Sequence, residues 1–520
     1  MVTAVASSGA GQRVDARPSA RASALASIRA FGLGIGLAAA AWAAPAYEVQ
    51  TVMVGSSPSA SRSTTWKPGD GLILEVGGMD FLPDGRLAVA IRKGEVWIFD
   101  GLGDPSLNSL KTKLFASGLH EPLGLLWDSD SLLVTQRTEV TRLRDTNHDG
   151  VADEYLTAGR GWNVSGAYHG YAYGPKRDGQ GKLWVALNVD MGERSDNKAA
   201  WRGWAGTIGP NGEFQPIAAG MRSPCGLGAN AAGDMFCVDQ QGTWVPATPI
   251  YHLQRGAFYL NPEGIASQAR PDSPVKLSAP VPNKVPYPDA VRALPEMVPP
   301  AVWLPYNKMG RSGTDLAVCT QAGKFGPFDG QFFVGEFTDA KVSRVFLEKI
   351  DGHYQGAAFP FVSGLASGVV RVLFGPDGNL YAGLTSRGWS SLGTHSYGLQ
   401  RIRWNGVTPF EIRAMRAQPD GFELEFTTEI DPATAGRPES YALKSYTFLY
   451  SSAYGSPEIE NRELKISHVT VEADRRRVRL KVDDLRPLYV HELQANGVRS
   501  AAGEALEHPD AYYTLNRIPR

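Results

Sequence analysis

A short phrase that joins a tight turn to an apolar strand recurs six times along this chain. Each copy has Asp-Gly or a related pair in the turn and alternating apolar residues after it. Most copies start about 50 residues apart, the length of one four-stranded propeller blade. A single blade leaves its faces exposed and stacking in a ring buries them, so the phrase predicts an all-β, six-bladed β-propeller. The copies begin at Phe81, Leu126, Tyr173, Ala231, Phe328 and Phe374.

A long gap before the fifth copy and the end of the chain mark two further regions. Residues from about 261 to 305 are dense in proline and predict a long loop that caps one face of the ring. The propeller is predicted to span 47–408 and to close near Trp404. Beyond it, Gly421–Phe426 and Arg477–Val482 alternate strictly between apolar and charged residues. Residues 409–520 are therefore expected to form a small C-terminal β-sandwich domain, Ig-like in size.

The first 46 residues are typical of a targeting segment. Several arginines precede a short apolar run at 30–44, and Ala44-Pro45-Ala46 offers a cleavage site of the A-x-A type. The apolar run is too short to cross a bilayer comfortably, and no other stretch is long and apolar enough. We therefore expect a signal peptide at 1–46, a periplasmic or secreted protein and no integral membrane span.

Charge and cysteine content argue against several kinds of partner. The formal net charge is −1 with 20% charged residues, so nothing favours nucleic acid or an anionic membrane surface. The sequence has neither a Cys-x-x-Cys-His motif for covalent haem nor a Cys/His cluster with zinc spacing. Cys225 and Cys237 flank a Gly-Asp turn, where they can either pair across a hairpin or stay as buried thiols.

The most specific local motif runs from Asp145 to Asp153. It places oxygen-bearing side chains at alternate positions, with a glycine at the sharp turn and a backbone carbonyl after it, as calcium requires. The twelfth position, where an EF-hand has glutamate, is Leu156, so the motif is closer to the nine-residue calcium loops of propeller hairpins. A structural calcium site is expected, with a solvated acidic turn as the alternative. The predicted ligands are Asp145, Asn147, Asp149, Val151 and Asp153.

One histidine stands apart from the repeats. His169 lies in a loop rich in glycine and tyrosine just before a strand, the position that faces the central channel of a propeller. Neutral imidazole near pH 7 is a ready general base for a hydroxyl proton. Tyr168, Tyr171 and Tyr173 would form an aromatic pocket around it. The alternative is a structural histidine whose hydrogen bonds are satisfied within its loop.

Arginines near strand ends are the remaining candidates. Arg222 precedes the fourth strand phrase, Arg371 precedes the sixth turn, and Arg387 follows the sixth strand. A guanidinium group at such a position can clamp a carboxylate or an oxyanion. Arg371 and Arg387 can equally be plain charges on the rim. Together with His169, these residues predict a polar site on an otherwise repetitive scaffold.

These motifs are similar to those of a known family. Tyr168-His169, Gly174-Pro175 and the segment 220–227 resemble the soluble PQQ-dependent glucose/sorbosone dehydrogenases. Further motifs look like a subgroup usually labelled membrane-bound dehydrogenases, whose members often carry an extra cytochrome c domain. The resemblance covers about residues 70–405 and implies a six-bladed propeller that oxidises sugar hydroxyls at the mouth of the ring. The subgroup motifs lie at 118–124, 142–150, 324–328 and 385–389.

The resemblance also implies roles for individual residues. His169 matches the family's general base, which removes the sugar hydroxyl proton as hydride moves to the quinone. Arg222 matches an arginine that holds a PQQ carboxylate, and Ser223 stands where the family has asparagine. Gly242 and Thr243 fall near the backbone ligands of the calcium ion that polarises PQQ. These residues form the core of the implied cofactor site.

The chain departs from the family at other cofactor contacts. The family's lysine on the fifth blade has no clear match, since Thr338 stands there and Lys341 lies three residues later. Of an arginine pair before the sixth turn only Arg371 is present, offset by one residue. Arg387, after the sixth strand, is the other cofactor contact expected on that blade. Half of the anion clamp for a tricarboxylate is thus missing or displaced.

The motifs and the resemblance together favour one function. We expect an exported, PQQ-dependent dehydrogenase that oxidises a sugar or polyol hydroxyl, assisted by calcium and an external electron acceptor such as a cytochrome c. In this hypothesis His169 removes the proton, while Arg222 and a cation stabilise developing negative charge. Two alternatives stay open, because a fold alone does not fix a function. One is a non-catalytic propeller that binds a carbohydrate or a protein; the other is a metal-dependent hydrolase or lactonase.

Overall fold

The computed structural model describes residues 45–56, 72–164, 166–191 and 199–520. The signal peptide predicted at 1–46 therefore lies outside the described residues, apart from Pro45 and Ala46. The first strand, β1 (Tyr47–Gly55), begins directly after them. Strands make up most of the regular structure that follows, as the all-β prediction requires.

The described residues contain six antiparallel units of four strands, which we call blades 1 to 6. Blades 1 to 3 comprise β2 (Val76–Phe81), β3 (Leu87–Ile91), β4 (Glu95–Asp100), β5 (Lys111–Ala116), β6 (Leu125–Asp128), β7 (Ser131–Thr135), β8 (Val140–Arg144), β9 (Glu154–Gly159), β10 (Ala172–Arg177), β11 (Leu183–Leu187), β12 (Trp204–Ile208) and β13 (Phe214–Ala219). Blades 4 to 6 comprise β14 (Gly226–Ala229), β15 (Met235–Val238), β16 (Thr248–His252), β18 (Val302–Leu304), β19 (Gly313–Val318), β20 (Phe332–Glu336), β21 (Lys341–Ile350), β22 (His353–Val362), β23 (Val369–Phe374), β24 (Leu380–Thr385), β25 (Tyr397–Trp404) and β1.

The blades form a closed ring. The first strand of each blade contacts the first strand of the next, and β23 of blade 6 returns to β2 of blade 1. Blade 6 takes its outer strand from the start of the chain, because β1 pairs with β25 and sets Tyr47 opposite Trp404. This pairing ties the two ends of the propeller together near Trp404, where closure was predicted. The prediction of a β-propeller is confirmed.

Burial explains why the sequence phrase repeats. The second strands β3, β7 and β11 are buried along their whole length, because each lies between two neighbouring blades. The outer strand β5 is exposed over its first half, and its residues there are lysines and threonine. Turns between first and second strands use residues suited to positive φ, such as Gly85 with φ 86°. Each phrase is therefore the inner hairpin of one blade.

The proline-rich segment between blades 4 and 5 is more regular than a single loop. It contains a 3-10 helix at Pro262–Ala269, the two-residue strand β17 (Val285–Pro286) and helix α1 (Tyr287–Ala293). It ends in β18, which is the outer strand of blade 4. A strand of three residues gives too little alternation to be recognised in the sequence. Within the described part of the chain, no helix has the length and apolarity that a membrane crossing requires.

The C-terminal region adds eight strands in two sheets, within the residues described. One sheet has the order β26-β27-β31-β30, and the other joins β28, β29, β32 and β33 to the propeller. The strands are β26 (Ile412–Gln418), β27 (Gly421–Phe426), β28 (Ala442–Tyr450), β29 (Glu458–Glu463), β30 (Ile466–Val471), β31 (Arg477–Val482), β32 (Tyr489–Gln494) and β33 (Asp510–Leu515). Helix α2 (Pro432–Ala435) and a 3-10 helix at Pro438–Ser440 lie between β27 and β28.

Backbone pairing and a shared core attach this region to blade 5. Strand β33 pairs with β22, the outer strand of that blade, with Gly356 opposite Thr514. The predicted apolar face of β27 is buried, and the Phe422 ring lies 5.1 Å from that of Tyr513, centroid to centroid. Phe359 of β22 belongs to the same core cluster. The C-terminal region is therefore continuous with the propeller rather than joined to it by a linker.

Candidate active site at the channel mouth

A cleft opens at one end of the central channel, with a volume of about 800 Å³ including the space open to solvent. All six blades contribute to it, because the loops around their inner strands meet there. Aromatic and apolar side chains form much of its wall, and polar groups converge on it, as in typical ligand sites. Of the predicted site residues, His169, Arg222, Ser223 and Arg387 line this cleft.

The loop between β9 and β10 carries His169 into the cleft. The imidazole lies edge-on to Trp389, with 6.0 Å between ring centroids, and to Tyr168, with 5.1 Å. Its Nδ1 atom is buried and has no hydrogen-bond partner among the described residues. Ring contacts therefore hold the imidazole, and its Nδ1 is not satisfied within the loop.

The surroundings of His169 favour its neutral form. Burial lowers the pKa of His169, and the positive charges of Arg222, Arg137 and Arg92 lower it further, while a hydrogen bond with the backbone of Met191 opposes the shift. Both effects penalise the imidazolium ion. A neutral imidazole therefore dominates at neutral pH and retains a lone pair that can accept a proton.

A buried carboxylate fixes the loop that carries Arg222 and Ser223 from β13 into β14. Asp239, which directly follows β15, accepts hydrogen bonds from the backbone N–H groups of Arg222 at 2.8 Å, Ser223 at 2.5 Å and Gln240 at 2.8 Å. Burial raises the pKa of Asp239 to about 6, although these donors oppose the shift. Asp239 thus positions the loop without lining the cleft itself.

The Arg222 side chain is buried and has no ion-pair partner among the described residues. It is 9% exposed, and its Nε atom has no hydrogen-bond partner among the described residues. A Cβ added to Gly242 would lie 2.1 Å from that Nε, so only glycine leaves room for the guanidinium group. Thr243 forms a β-bridge with Tyr454 of the C-terminal region. Gly242 and Thr243, predicted as cofactor contacts, lie behind Arg222 and do not line the cleft.

Two further arginines reach the cleft with partners already in place. Arg387 forms an ion pair with Glu75, and both side chains are largely buried. Arg92 donates hydrogen bonds to the hydroxyl groups of Tyr168 at 2.9 Å and Tyr171 at 2.5 Å. Three arginines, Arg92, Arg222 and Arg387, thus line the cleft with no Asp or Glu among the described residues that line it, although Glu121 and Glu75 offset the charges of Arg92 and Arg387.

Arg137 holds the His169 loop through hydrogen bonds to its backbone. Its guanidinium group donates to the backbone carbonyls of Ala167 at 3.3 Å and Tyr168 at 2.6 Å, and it pairs with Glu121. Glu121 also lies 3.5 Å from Arg92. This network connects blades 1, 2 and 3 around the candidate base.

Sequence reasoning missed Arg92 and Arg137, although the repeats contain a signal for them. Arg92 follows β3 directly, Arg137 lies two residues after β7, and Arg387 lies two residues after β24. Asp239 occupies the corresponding position after β15. Alignment of the blades on their second strands therefore finds charged residues that either line the cleft, as Arg92 and Arg387 do, or hold the loops that line it, as Arg137 and Asp239 do.

Arg371 lies outside the cleft, deeper in the channel. Its guanidinium nitrogens donate to the backbone carbonyls of Val370 at 2.6 Å, Leu123 at 2.7 Å, Gly77 at 2.8 Å and Cys225 at 3.2 Å. These carbonyls belong to four different blades. Because each guanidinium nitrogen already donates to the protein, Arg371 is not placed to hold a cofactor carboxylate, and the predicted contact is not supported.

On blade 5, the lysine that the family uses as a cofactor contact has no counterpart among the residues that line the cleft. The Thr338 hydroxyl donates to Ser312 Oγ at 3.5 Å, and Lys341 pairs with Asp339 at 3.3 Å. Neither Thr338 nor Lys341 lines the cleft. The anion clamp expected from the resemblance is thus reduced on this side of the ring.

The cysteines are buried free thiols. Cys225, Cys237 and Cys319 form no disulfide, so the second of the two alternatives for Cys225 and Cys237 describes this structure. In the hairpin, Cys237 is paired with Leu227 rather than with Cys225. Burial raises the pKa of both thiols, and they pack as small apolar side chains.

The acidic motif folds as a compact turn. Asp145 accepts hydrogen bonds from the backbone N–H groups of Asp149 at 3.1 Å and Gly150 at 2.8 Å, while Asp153 accepts from the Thr146 hydroxyl at 2.8 Å. Among the described residues, no three or more His, Cys, Asp or Glu side chains are grouped to hold a metal ion. The predicted calcium site at this turn is therefore not shown by the structure. Its proposed ligands were Asp145, Asn147, Asp149, Val151 and Asp153.

Several sugar dehydrogenases are among the solved structures that match this fold. An oxidoreductase described as a glucose dehydrogenase, from Thermus thermophilus, is 19% identical, with a TM-score of 0.47 over 68% of this chain and 99% of its own. The PQQ-bound aldose sugar dehydrogenase of Streptomyces coelicolor is 14% identical, with a TM-score of 0.44 over 69% and 99%. The apo-form soluble aldose sugar dehydrogenase of Escherichia coli is 15% identical, with a TM-score of 0.45 over 69% and 100%. These three proteins are of the kind that the sequence motifs resemble, and each is less than 20% identical to this chain.

At the level of sequence, a family of unknown function matches. None of the curated proteins matches the sequence of this chain. A family described as a domain of unknown function, DUF7133, matches residues 96–383, which is more than half of the 520-residue chain. The matched segment runs from β4 into β24 and contains His169 and Arg222. The chain therefore belongs to the DUF7133 family.

Proposed function

We propose that this protein is an exported dehydrogenase that uses the quinone PQQ to oxidise a hydroxyl group of a sugar or polyol. One observation carries the proposal: a neutral His169 and an unpaired Arg222 line the same cleft, close enough for Arg222 to lower the pKa of His169. Oxidation of a hydroxyl needs a base for its proton and a cation for the negative charge that develops. This pair supplies both.

The cleft residues fit a quinone that carries carboxylates. Arg222 would hold one carboxylate, because its buried Nε has no acceptor among the described residues. The Asn188 side chain also lines the cleft, and its buried Oδ1 atom, which has no partner among the described residues, can accept a hydrogen bond from a substrate hydroxyl group. Arg387 adds positive charge at the rim while it stays paired with Glu75. When bound, PQQ supplies a two-electron acceptor for the hydride of the substrate carbon.

The protein's own part in the reaction is to bind, orient and deprotonate. The neutral imidazole of His169 accepts the hydroxyl proton as the substrate carbon becomes a carbonyl carbon and its hydride leaves. Arg222 stabilises the negative charge that develops at the same time. The aromatic rings of Tyr168, Tyr171 and Trp389 stand edge-on around His169 and leave its imidazole half-buried.

Export and the electron acceptor complete the proposal. The leader at 1–46 supports a periplasmic or secreted protein, and an external acceptor such as a cytochrome c would take up the two electrons. Cell fractionation checks export: we expect mature protein that begins after residue 46 outside the cytoplasm. Full-length protein confined to the cytoplasm would contradict it.

The test of function is a turnover assay on the purified protein. The protein is incubated with and without PQQ, and reduction of a redox dye is followed with a panel of sugars and polyols. We expect PQQ-dependent dye reduction that falls about 10²- to 10⁴-fold in H169A, the usual contribution of a general base. The matched control is H468A, which removes an exposed histidine from β30, far along the chain in the C-terminal region.

The same assay separates the alternatives. If folded protein shows neither a PQQ-dependent spectral change nor turnover, the dehydrogenase proposal fails. Sugar binding without turnover would then indicate a non-catalytic carbohydrate-binding propeller. Hydrolysis of sugar lactones in the same panel would indicate a lactonase, for which His169 would again be the candidate base.

A further inference from the structure

A loop of the C-terminal region reaches blade 4 beside the cleft. This loop, residues 451–457, connects β28 to β29. The backbone N–H of Trp244 donates to the carbonyl of Ser451 at 3.1 Å, and Thr243 forms an antiparallel bridge with Tyr454. The Trp244 ring also lies 5.3 Å from that of Tyr450, between centroids. The loop is therefore held against the strand connection that carries Gly242.

The proline-rich segment supports the same loop from its other side. Ser452 donates its backbone N–H to Asn283 Oδ1 at 3.0 Å, and Asn283 Nδ2 donates to Ser452 Oγ at 3.1 Å. Strand β17 pairs with β28 just before the loop, with Val285 opposite Tyr450. Contacts with blade 4 and with the proline-rich segment thus fix where the loop places its exposed aromatic residue, Tyr454.

Tyr454 lies against Arg222. The guanidinium carbon of Arg222 is 5.7 Å from the centroid of the Tyr454 ring, within the range of a cation–π contact. Gly242 provides a second contact, since its backbone lies directly against the same guanidinium group. Stacking on a ring or a peptide does not use the N–H groups of arginine. These contacts therefore hold Arg222 in place and leave its donors free for a ligand.

We propose that Tyr454 is a positioning residue of the active site: the C-terminal region supplies its ring to hold Arg222 in the orientation that binds the anionic group of the cofactor. The proposal rests on the proposed function, in which Arg222 binds a carboxylate. Tyr454 does not line the cleft and is 59% exposed, so it acts through Arg222 and not on the substrate. The C-terminal region thereby becomes part of the cofactor site rather than a separate dock.

A measurement that needs no ligand tests the contact. Because Arg222 lowers the pKa of His169, NMR titration of the His169 imidazole reports where the guanidinium lies. We expect Y454A to raise the pKa of His169 in the direction of its value in R222Q, and Y454F, which keeps the ring, to leave it at the wild-type value. The double variant R222Q/Y454A should titrate as R222Q does. A His169 pKa in Y454A equal to that of the wild type would overturn the proposal.

A binding measurement tests the consequence for the cofactor. Quenching of protein fluorescence by PQQ should show about 2- to 5-fold weaker binding in Y454A, the range expected for loss of an exposed cation–π contact. Y454F should restore wild-type affinity, and G242A, which pushes Arg222 aside sterically, should weaken binding as well. Wild-type affinity in Y454A beside weakened binding in R222Q would overturn the positioning role. If the wild type binds no PQQ, the proposed function fails, and the His169 titration alone decides whether Tyr454 holds Arg222.

Discussion

Two buried arginines in the same channel differ in what they contact. Arg371 is 5% exposed, and each of its three guanidinium nitrogens donates a hydrogen bond. The accepting backbone carbonyls belong to four different blades. Arg222 is 9% exposed and lines the cleft, and its Nε has no partner among the described residues. Both side chains lose hydration when the chain folds. Only Arg371 recovers the lost hydrogen bonds within the protein.

This difference separates scaffold from site. A buried donor that the fold satisfies stabilises the fold, whereas a buried donor that it leaves unsatisfied marks a place where a ligand can complete the bonding. Arg387 and Arg92 also reach the cleft, but they bond to Glu75 and to two tyrosines respectively. Arg222 is therefore the cleft arginine whose removal should affect binding more than stability.

The largest expected effect is on stability, at Arg371. In R371M, four buried carbonyls lose their donor, and we expect the free energy of unfolding to fall by about 3 to 5 kcal/mol, as when one partner of a buried polar pair is removed. Urea unfolding followed by circular dichroism measures the change. If R371M were as stable as the wild type, the contrast between a structural Arg371 and a ligand-binding Arg222 would be wrong.

The matched control for this variant is R371K. Lysine keeps the positive charge but cannot donate from three separate nitrogens to carbonyls on four blades. We expect an intermediate loss of stability. Stability equal to that of the wild type would mean that charge, and not the set of hydrogen bonds, holds the blades together.

The next effect is on cofactor binding, at Arg222. R222Q removes a positive charge whose buried Nε has no hydrogen-bond partner among the described residues. We therefore expect the free energy of unfolding to change by less than about 1 kcal/mol. Loss of a charge-assisted hydrogen bond should weaken PQQ binding by about 10- to 100-fold. Urea unfolding and fluorescence titration on the same preparation check both parts. Strong destabilisation with unchanged PQQ affinity would place Arg222 in the scaffold beside Arg371.

Local repeats made the propeller predictable from the sequence. The inner hairpins show strong alternation and turn residues, so phrases such as the one at Phe81 identify the blades directly. The outer strand β18 and the closing strand β1 were not recognised, because one is very short and the other pairs with a strand about 350 residues later in the chain. Long-range pairing such as that of β33 with β22 leaves no local pattern in a sequence.

The site was predictable only in part, for a similar reason. His169 and Arg222 lie at positions that the other repeats do not share, which made them recognisable in the sequence. Both line the cleft. Arg371 lies inside strand β23, and its side chain donates to carbonyls of other blades, a direction that one sequence cannot show. Tyr454 lies far from the others along the chain, so only the fold shows that it contacts Arg222.

The third prediction concerns the pH dependence of turnover. Burial and Arg222 lower the pKa of His169, so the imidazole stays neutral at pH values somewhat below its ordinary pKa of about 6.5. We therefore expect kcat/KM to fall only on the acid side of pH 6.5. R222Q removes one of these causes, so the acid limb should move to higher pH. Profiles of kcat/KM for the two proteins provide the test. Arg222 also lowers the pKa of Asp239, which is about 6, so NMR titration of the His169 imidazole in both proteins is the control that assigns the acid limb.

The smallest expected effect is at Tyr168, which bonds to a cleft arginine whose terminal nitrogens have several other partners. Arg92 donates to the Tyr168 hydroxyl at 2.9 Å, but it also bonds to Tyr171, and Tyr168 is 48% exposed. In Y168F, Arg92 therefore stays in place and water replaces the lost hydroxyl. We expect KM for the substrate to change by no more than about 2- to 5-fold, with kcat unchanged. A loss of kcat comparable to that of H169A would instead assign Tyr168 a part in proton transfer, because an arginine held by a second tyrosine cannot account for it.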